Sequence, residues 1–218
     1  MRSKFDEQLL QLNHEMIEMG ALCEEVIALS SQALTEGDTA LVAKVAPLDS
    51  EIDHKEREIE NLCLKLLLRQ QPVARDLRQI SAALKMITDM ERIGDQAEDI
   101  AEIVAFLDGR QAENDALLKE MAKAVIQMVT ESVDAYVKCD IMLAKKVIAA
   151  DDVVDEQFAR VKQSLIGKIA ADPADGEYAL DLLMIAKYYE RIGDHATNIA
   201  EWVIYSVTGT HKDEITLT

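Results

Sequence analysis

Glu91, Asp95, Glu98 and Glu102 fall within the stretch ERIGDQAEDIAE, and 99 residues later ERIGDHATNIAE repeats it with Glu190, Asp194, Thr197 and Glu201 in the matching places. On a helix turning about 100° per residue, each set of four lies within roughly 60° on one face. Carboxylates gathered so closely repel, and each raises its neighbours' pKa unless basic partners or bound cations neutralise the charge. Arg92 and Arg191 adjoin the rows but sit about 100° away, so we expect them to neutralise the face poorly. Bound metal fits better, because carboxylates on facing helices suit hard, oxygen-seeking ions such as Mg, Mn, Ca or Fe.

A charged helix face at this spacing is ordinarily solvated. Three features argue otherwise here. Extended backward, the first row carries Ile80, Leu84 and Ile87, and the second carries Ala179, Leu183 and Ala186, so both acidic rows continue a core stripe. An earlier segment holds a third row, Asp49, Asp53, Glu56 and Glu60, that runs on into Cys63 and Leu67. If the chain turns back near residues 69–73, an antiparallel hairpin sets Asp49 level with about residue 93 and Asp53 with about residue 89. A turn near residues 170–175 likewise sets Asp151 opposite about residue 194, and Asp155 opposite about residue 190. The expected ligand sets are therefore Asp49, Asp53, Glu91 and Asp95 in one half, and Asp151, Asp155, Glu190 and Asp194 in the other. Asp99 and Asn198 stand at the edge of each face and complete them.

Both motifs place a glycine, Gly94 or Gly193, inside a strongly helical run, where Gly costs about 1 kcal/mol relative to Ala. That cost is intelligible where a side chain would crowd a neighbouring helix or the ions. His195 is about 140° from Glu190 and is expected to pack or to hydrogen-bond elsewhere. Met86, Met90, Met121, Met128 and Met142 read as core filler, and Trp202 and Tyr205 as packing the last turns of the final helix.

These rows need long helices to carry them. The chain has 218 residues, 49% hydrophobic, with 8 Gly, 3 Pro and few aromatics, a composition that favours an all-helical protein. Breakers at Gly37-Asp38, Gln71-Pro72, Asp108-Gly109, Cys139-Asp140 and Asp172-Pro173 divide it into six periodic segments without an alternating strand pattern. Asp38, Asp140 and Asp175 are candidate N-caps. Pro47 requires the second helix either to bend there or to begin there after a short turn. The repeat extends beyond the motif, since DTALVAKV from Asp38 parallels DIMLAKKV from Asp140. The fold class expected is all-α: two pseudo-symmetric antiparallel three-helix bundles from an internal duplication, over residues 1–109 and 110–208, with a polar tail over 209–218.

The formal net charge of −18 leaves no basic footprint for nucleic acid. No run of about 18 apolar residues suggests membrane insertion, and the charged start MRSKFDEQLL has no apolar leader core. Cys23, Cys63 and Cys139 are odd in number and widely spaced, as expected of reduced thiols in a cytoplasmic protein. No nucleophile–base pair, Gly-rich phosphate loop or nicotinamide fingerprint is present, which points away from an enzyme.

With its two halves, PVARDLRQI around Asp76 and Arg78, ERIGDQAEDIAE, and YYERIGDHATNIAEW, the sequence resembles the PhoU family of accessory and regulatory proteins of phosphate-specific transport. The resemblance covers nearly the whole chain. It implies two helical bundles, a homodimer, and metal clusters held by those Glu and Asp residues, with divalent or trivalent Fe, Mn, Mg or Zn as the expected ions. It also implies negative regulation of the phosphate-starvation response, through contacts with the ATPase subunit of the phosphate ABC transporter and with a membrane sensor histidine kinase. The alternative is a carboxylate-bridged di-metal oxidase or metal-storage protein of ferritin-like type. Such sites use Glu-x-x-His pairs, and here Glu51-Ile-Asp-His54 alone fits that pattern.

Overall fold

The computed structural model describes residues 2–70, 72–107 and 116–210. Among the described residues seven α-helices follow in order: α1 Arg2–Glu36, α2 Thr39–Val42, α3 Val45–Gln70, α4 Ala74–Phe106, α5 Ala116–Lys138, α6 Ile141–Ala171 and α7 Gly176–Thr208, with a 3-10 turn at Pro173–Asp175. No strand occurs among the described residues. The division expected near Gly109, and the tail from His211 onward, lie outside them.

Of the two readings of Pro47, the structure adopts the second. The single turn α2 precedes it, and α3 starts at Val45, so the proline sits in the first turn where a missing N–H is harmless. Asp38 caps α2 through Ala40 N (2.8 Å), and Asp140 caps α6 through Met142 N and Leu143 N. Asp175 does not cap α7 as expected. Its side chain makes no capping bond, because Asp172 has already nucleated the preceding turn by accepting from Ala174 N at 2.9 Å. The duplication persists in backbone detail. Gly37 (φ 64°) and Cys139 (φ 51°) hold the same left-handed position, each just before the capping aspartate.

In the first half α3 and α4 pack on each other and on α1; in the second, α6 and α7 pack on each other and α7 on α5. The two halves join through α4 against α7, the most extensive helix pair among the described residues, and through α1 against α5. One continuous apolar core results, drawn from both halves and including Leu12, Met16, Met19, Ile52, Met86, Met90, Met121, Tyr136 and Tyr189. Met142 is an exception to the expected methionine core: it is 73% exposed. It occupies the first turn of α6, and Ala144 and Val147 carry the buried stripe there instead. Trp202 and Tyr205 meet edge to face at 5.6 Å, as their place in the last turns of α7 suggested.

Candidate metal centres

Both motif glycines lie at helix crossings against an aspartate. A Cβ placed on Gly94 would stand 2.7 Å from Asp49 Oδ1 and 3.1 Å from Ile52 Cδ1 of α3. At Gly193 the corresponding distances are 3.3 Å to Asp151 Oδ1 and 3.6 Å to Val154 Cγ1 of α6. Each glycine thus admits an aspartate carboxylate into the groove between two helices. The hairpin levels agree with expectation to within one residue in both halves.

The oxygens so admitted are buried. Among the described residues, Asp49 Oδ1 and Asp151 Oδ1 have no hydrogen-bond partner; Glu91 Oε2 beside them has none either, but is ion-paired with Arg92. A carboxylate oxygen withdrawn from water without a partner is costly. Burial first, then the charges of Glu98, Asp53, Asp95 and Glu91, push the Asp49 carboxyl up to about 7. Burial and the charges of Asp194, Asp155, Glu190 and Asp152 push Asp151 up to about 6. Glu91, Glu98 and Asp194 are raised as well, in each case chiefly by burial and then by neighbouring acids. The acids therefore act on one another as two groups, one on the α3–α4 hairpin and one on the α6–α7 hairpin.

The donor sets suit hard cations: every candidate ligand offers oxygen, and each groove holds a buried carboxylate oxygen that an ion would neutralise. Among the described residues no three His, Cys, Asp or Glu side chains are drawn together tightly enough to hold one ion.

The basic residues differ from expectation. Arg92 does reach its row, with Nη1 2.9 Å from Asp95 Oδ2 and Nε 3.4 Å from Glu91 Oε2. A long guanidinium stem spans the angle that separates the Cα positions. Arg191 acts instead across the molecule on Asp99. Sequence reasoning also missed Lys187, whose ammonium bonds Glu190, and it left Glu98 and Glu56 out of the ligand sets. Glu98 is the strongest charged neighbour of Asp49, and Glu56 is raised by burial on the same hairpin.

Asp99 and Asn198 sit on the seam between α4 and α7. The Asn198 amide donates to Asp89 Oδ1 at 3.1 Å, and His195 Nδ1 lies 2.9 Å from the same oxygen, so the histidine finds its hydrogen bond away from the row. Asp99 is raised by burial and lowered by a hydrogen bond from Tyr188 and by the Arg191 charge. Asp89 and Tyr188 occupy equivalent places in the two repeats, as do Asp99 and Asn198, so the two seam contacts are related by the internal twofold.

Comparison with known proteins agrees with this doubled arrangement. The PhoU domain family model matches twice, over residues 16–104 and 118–203. The chain belongs to the PhoU family. A curated relative from Clostridium acetobutylicum, named phosphate-specific transport system accessory protein PhoU homolog, is 36% identical over 216 residues, covering 97% of this chain and 98% of its own. A relative of the same name from Pseudomonas aeruginosa is 34% identical, with 99% and 90% covered. The crystal structure of PhoU from Pseudomonas aeruginosa superposes with a TM-score of 0.88 at 34% identity, over 94% of this chain and 100% of that one. The phosphate transport system regulatory protein PhoU from Streptococcus pneumoniae gives 0.87 at 26% identity, over 95% and 98%. The PhoU fold of two helical repeats is thus the scaffold that presents both acid clusters. No helix among the described residues is long and apolar enough to cross a membrane.

Proposed function

We propose that this protein is a non-enzymatic accessory protein of a phosphate-specific transport system, and that it binds metal ions at the two acid clusters. The observation that carries the metal reading is the pair of buried, unpartnered oxygens, Asp49 Oδ1 and Asp151 Oδ1, each held against a motif glycine. Asp53, Glu91, Asp95 and Asp99 in the first half, and Asp155, Glu190, Asp194 and Asn198 in the second, supply the remaining oxygens. Bound ions (Fe, Mn, Mg or Zn) would supply multivalent positive charge bridging carboxylates of facing helices. With that charge in place the α3–α4 and α6–α7 hairpins present a neutralised, ordered surface. In their absence the same acids repel.

The transport assignment draws support from the names that the relatives carry. In this reading the protein works in the cytoplasm as a homodimer. It links the ATPase subunit of the phosphate ABC transporter to a membrane sensor histidine kinase and restrains the phosphate-starvation response when phosphate is plentiful. The test is genetic: deletion should derepress a phosphate-starvation reporter in phosphate-rich medium, and unchanged expression would overturn the regulatory role. The oxidase reading loses its one motif. Glu51 is exposed, and His54 is 69% exposed, its Nε2 3.4 Å from Glu58, so the pair faces solvent instead of a facing helix.

A further inference from the structure

Aligning the two halves shows a linked exchange beside the clusters. Glu56 of α3 and Thr88 of α4 meet in the first half, the Thr88 hydroxyl donating to Glu56 Oε1 at 3.4 Å. The equivalent places on α6 and α7 are Phe158 and Lys187, and they also meet: the ammonium lies 5.6 Å from the centre of the Phe158 ring. The same ammonium bonds Glu190, a cluster acid whose side chain is 14% exposed. A hydroxyl beside an acid in one half is therefore a cation on an aromatic platform in the other. Glu98, one of the acids of the first row, is replaced by Thr197 in the second half. The first cluster carries Asp49, Asp53, Glu56, Glu91, Asp95 and Glu98, with Arg92 paired to Asp95 and Glu91. The second carries Asp151, Asp155, Glu190 and Asp194 with Lys187 against them.

We propose that Lys187 is a built-in counter-ion of the second cluster, seated on Phe158, so that the two halves bind cations unequally and the first fills at lower concentration. The inference rests on the metal reading above and deepens it. An incoming ion at the second cluster must share or displace the ammonium on Glu190, and it meets fewer carboxylates. The ring–ammonium contact favours keeping the lysine in place, and a charge-assisted bond to a partly buried carboxylate is stronger than a neutral one. At the first cluster Thr88 takes the lysine's place and Arg92 is paired with Asp95 and Glu91, so an ion there also competes with a cation but meets six carboxylates instead of four.

The test is Mn2+ binding to the full-length, chelator-stripped protein, followed by calorimetry and by the electron spin resonance of free Mn2+. Wild type should give two classes of site with dissociation constants at least about tenfold apart, from the loss of like-charge repulsion and the gain of carboxylates. In a background with the first cluster silenced by Asp49→Asn and Asp95→Asn, Lys187→Thr should tighten the remaining site by about tenfold. Lys187→Arg should leave it weak, and Lys187→Gln repeats the test should the threonine disturb packing. The reciprocal Thr88→Lys in otherwise wild-type protein should weaken the first site. Two equal sites in wild type, unmoved by Lys187→Thr or Lys187→Gln, would overturn the counter-ion while leaving metal binding intact. No binding at either cluster would overturn both.

Discussion

Replacing Gly94 by Ala tests the packing of the first cluster directly. An alanine in a helix interior is favoured over glycine by about 1 kcal/mol. Gly167, on α6, has nothing within 4 Å of where its Cβ would stand, so Gly167→Ala should realise most of that gain. At Gly94 the added methyl meets Asp49 Oδ1 at 2.7 Å and Ile52 Cδ1 at 3.1 Å, and overpacking of this kind typically costs 1–3 kcal/mol. Gly94→Ala should therefore be destabilising by roughly 0–2 kcal/mol net. At Gly193 the nearest atom is 3.3 Å away, a gap that a shift of a few tenths of an ångström relieves, so Gly193→Ala should fall between the two. A change of 1 kcal/mol moves the melting temperature by about 2–4 °C in a chain of this size. Thermal melts of the three apo variants should thus rank Gly167→Ala above Gly193→Ala above Gly94→Ala. Gly94→Ala should also weaken Mn2+ binding, because Asp49 has to move. If Gly94→Ala melts as high as Gly167→Ala, Asp49 does not occupy the groove and the reasoning fails.

The acids raised by burial give a pH dependence of defined sign. Asp49, raised to about 7, binds its proton more tightly folded than unfolded, so its contribution to apo stability is full below the ordinary carboxylate value near 4 and is lost as pH rises through about 7. Asp49→Asn should accordingly stabilise the apo protein at pH 7.5 and change little at pH 4; melts showing equal loss at both values would contradict this. Protons and cations compete for the same oxygens, so Mn2+ affinity should rise between pH 5 and 7, and a flat profile would speak against carboxylate ligation. On the seam, Asp89→Ala removes the common partner of His195 and Asn198, which should cost about 1–3 kcal/mol in chemical denaturation. A neutral result would show that the seam does not depend on those bonds.

The helices, their antiparallel hairpins and the doubling were legible because they rest on local signals: Asp38 and Asp140 as caps, Pro72 and Pro173 as breaks, and a 3.6-residue apolar period. Loop position and helix rise alone set Asp49 opposite about residue 93 and Asp151 opposite about residue 194, each one residue from the glycine it meets. What the sequence concealed depends on side-chain reach and on contacts between the halves. Arg92 spans an angle that a projection of Cα positions counts as separation. The bonds of Asp89 to His195 and Asn198 join residues more than 100 apart, and no periodicity encodes which helix meets which across a duplication. Met142 reads as core by residue type, yet it lies in the first turn of α6, off the stripe of Ala144 and Val147. Lys187 was readable in part, since it precedes Glu190 by three residues, a spacing that brings side chains together on a helix. Its exchange with Phe158 for Thr88 with Glu56 shows once the halves are aligned.

Metal content after reloading tests the central claim most directly. Wild type and the Asp49→Asn/Asp151→Asn double variant, both stripped with chelator, incubated with Mn2+ and passed through gel filtration, are compared by elemental analysis. The account predicts manganese retained by wild type and lost from the double variant, with circular dichroism of the two unchanged. Equal manganese in both proteins would show that the oxygens buried against Gly94 and Gly193 are not what holds the ions.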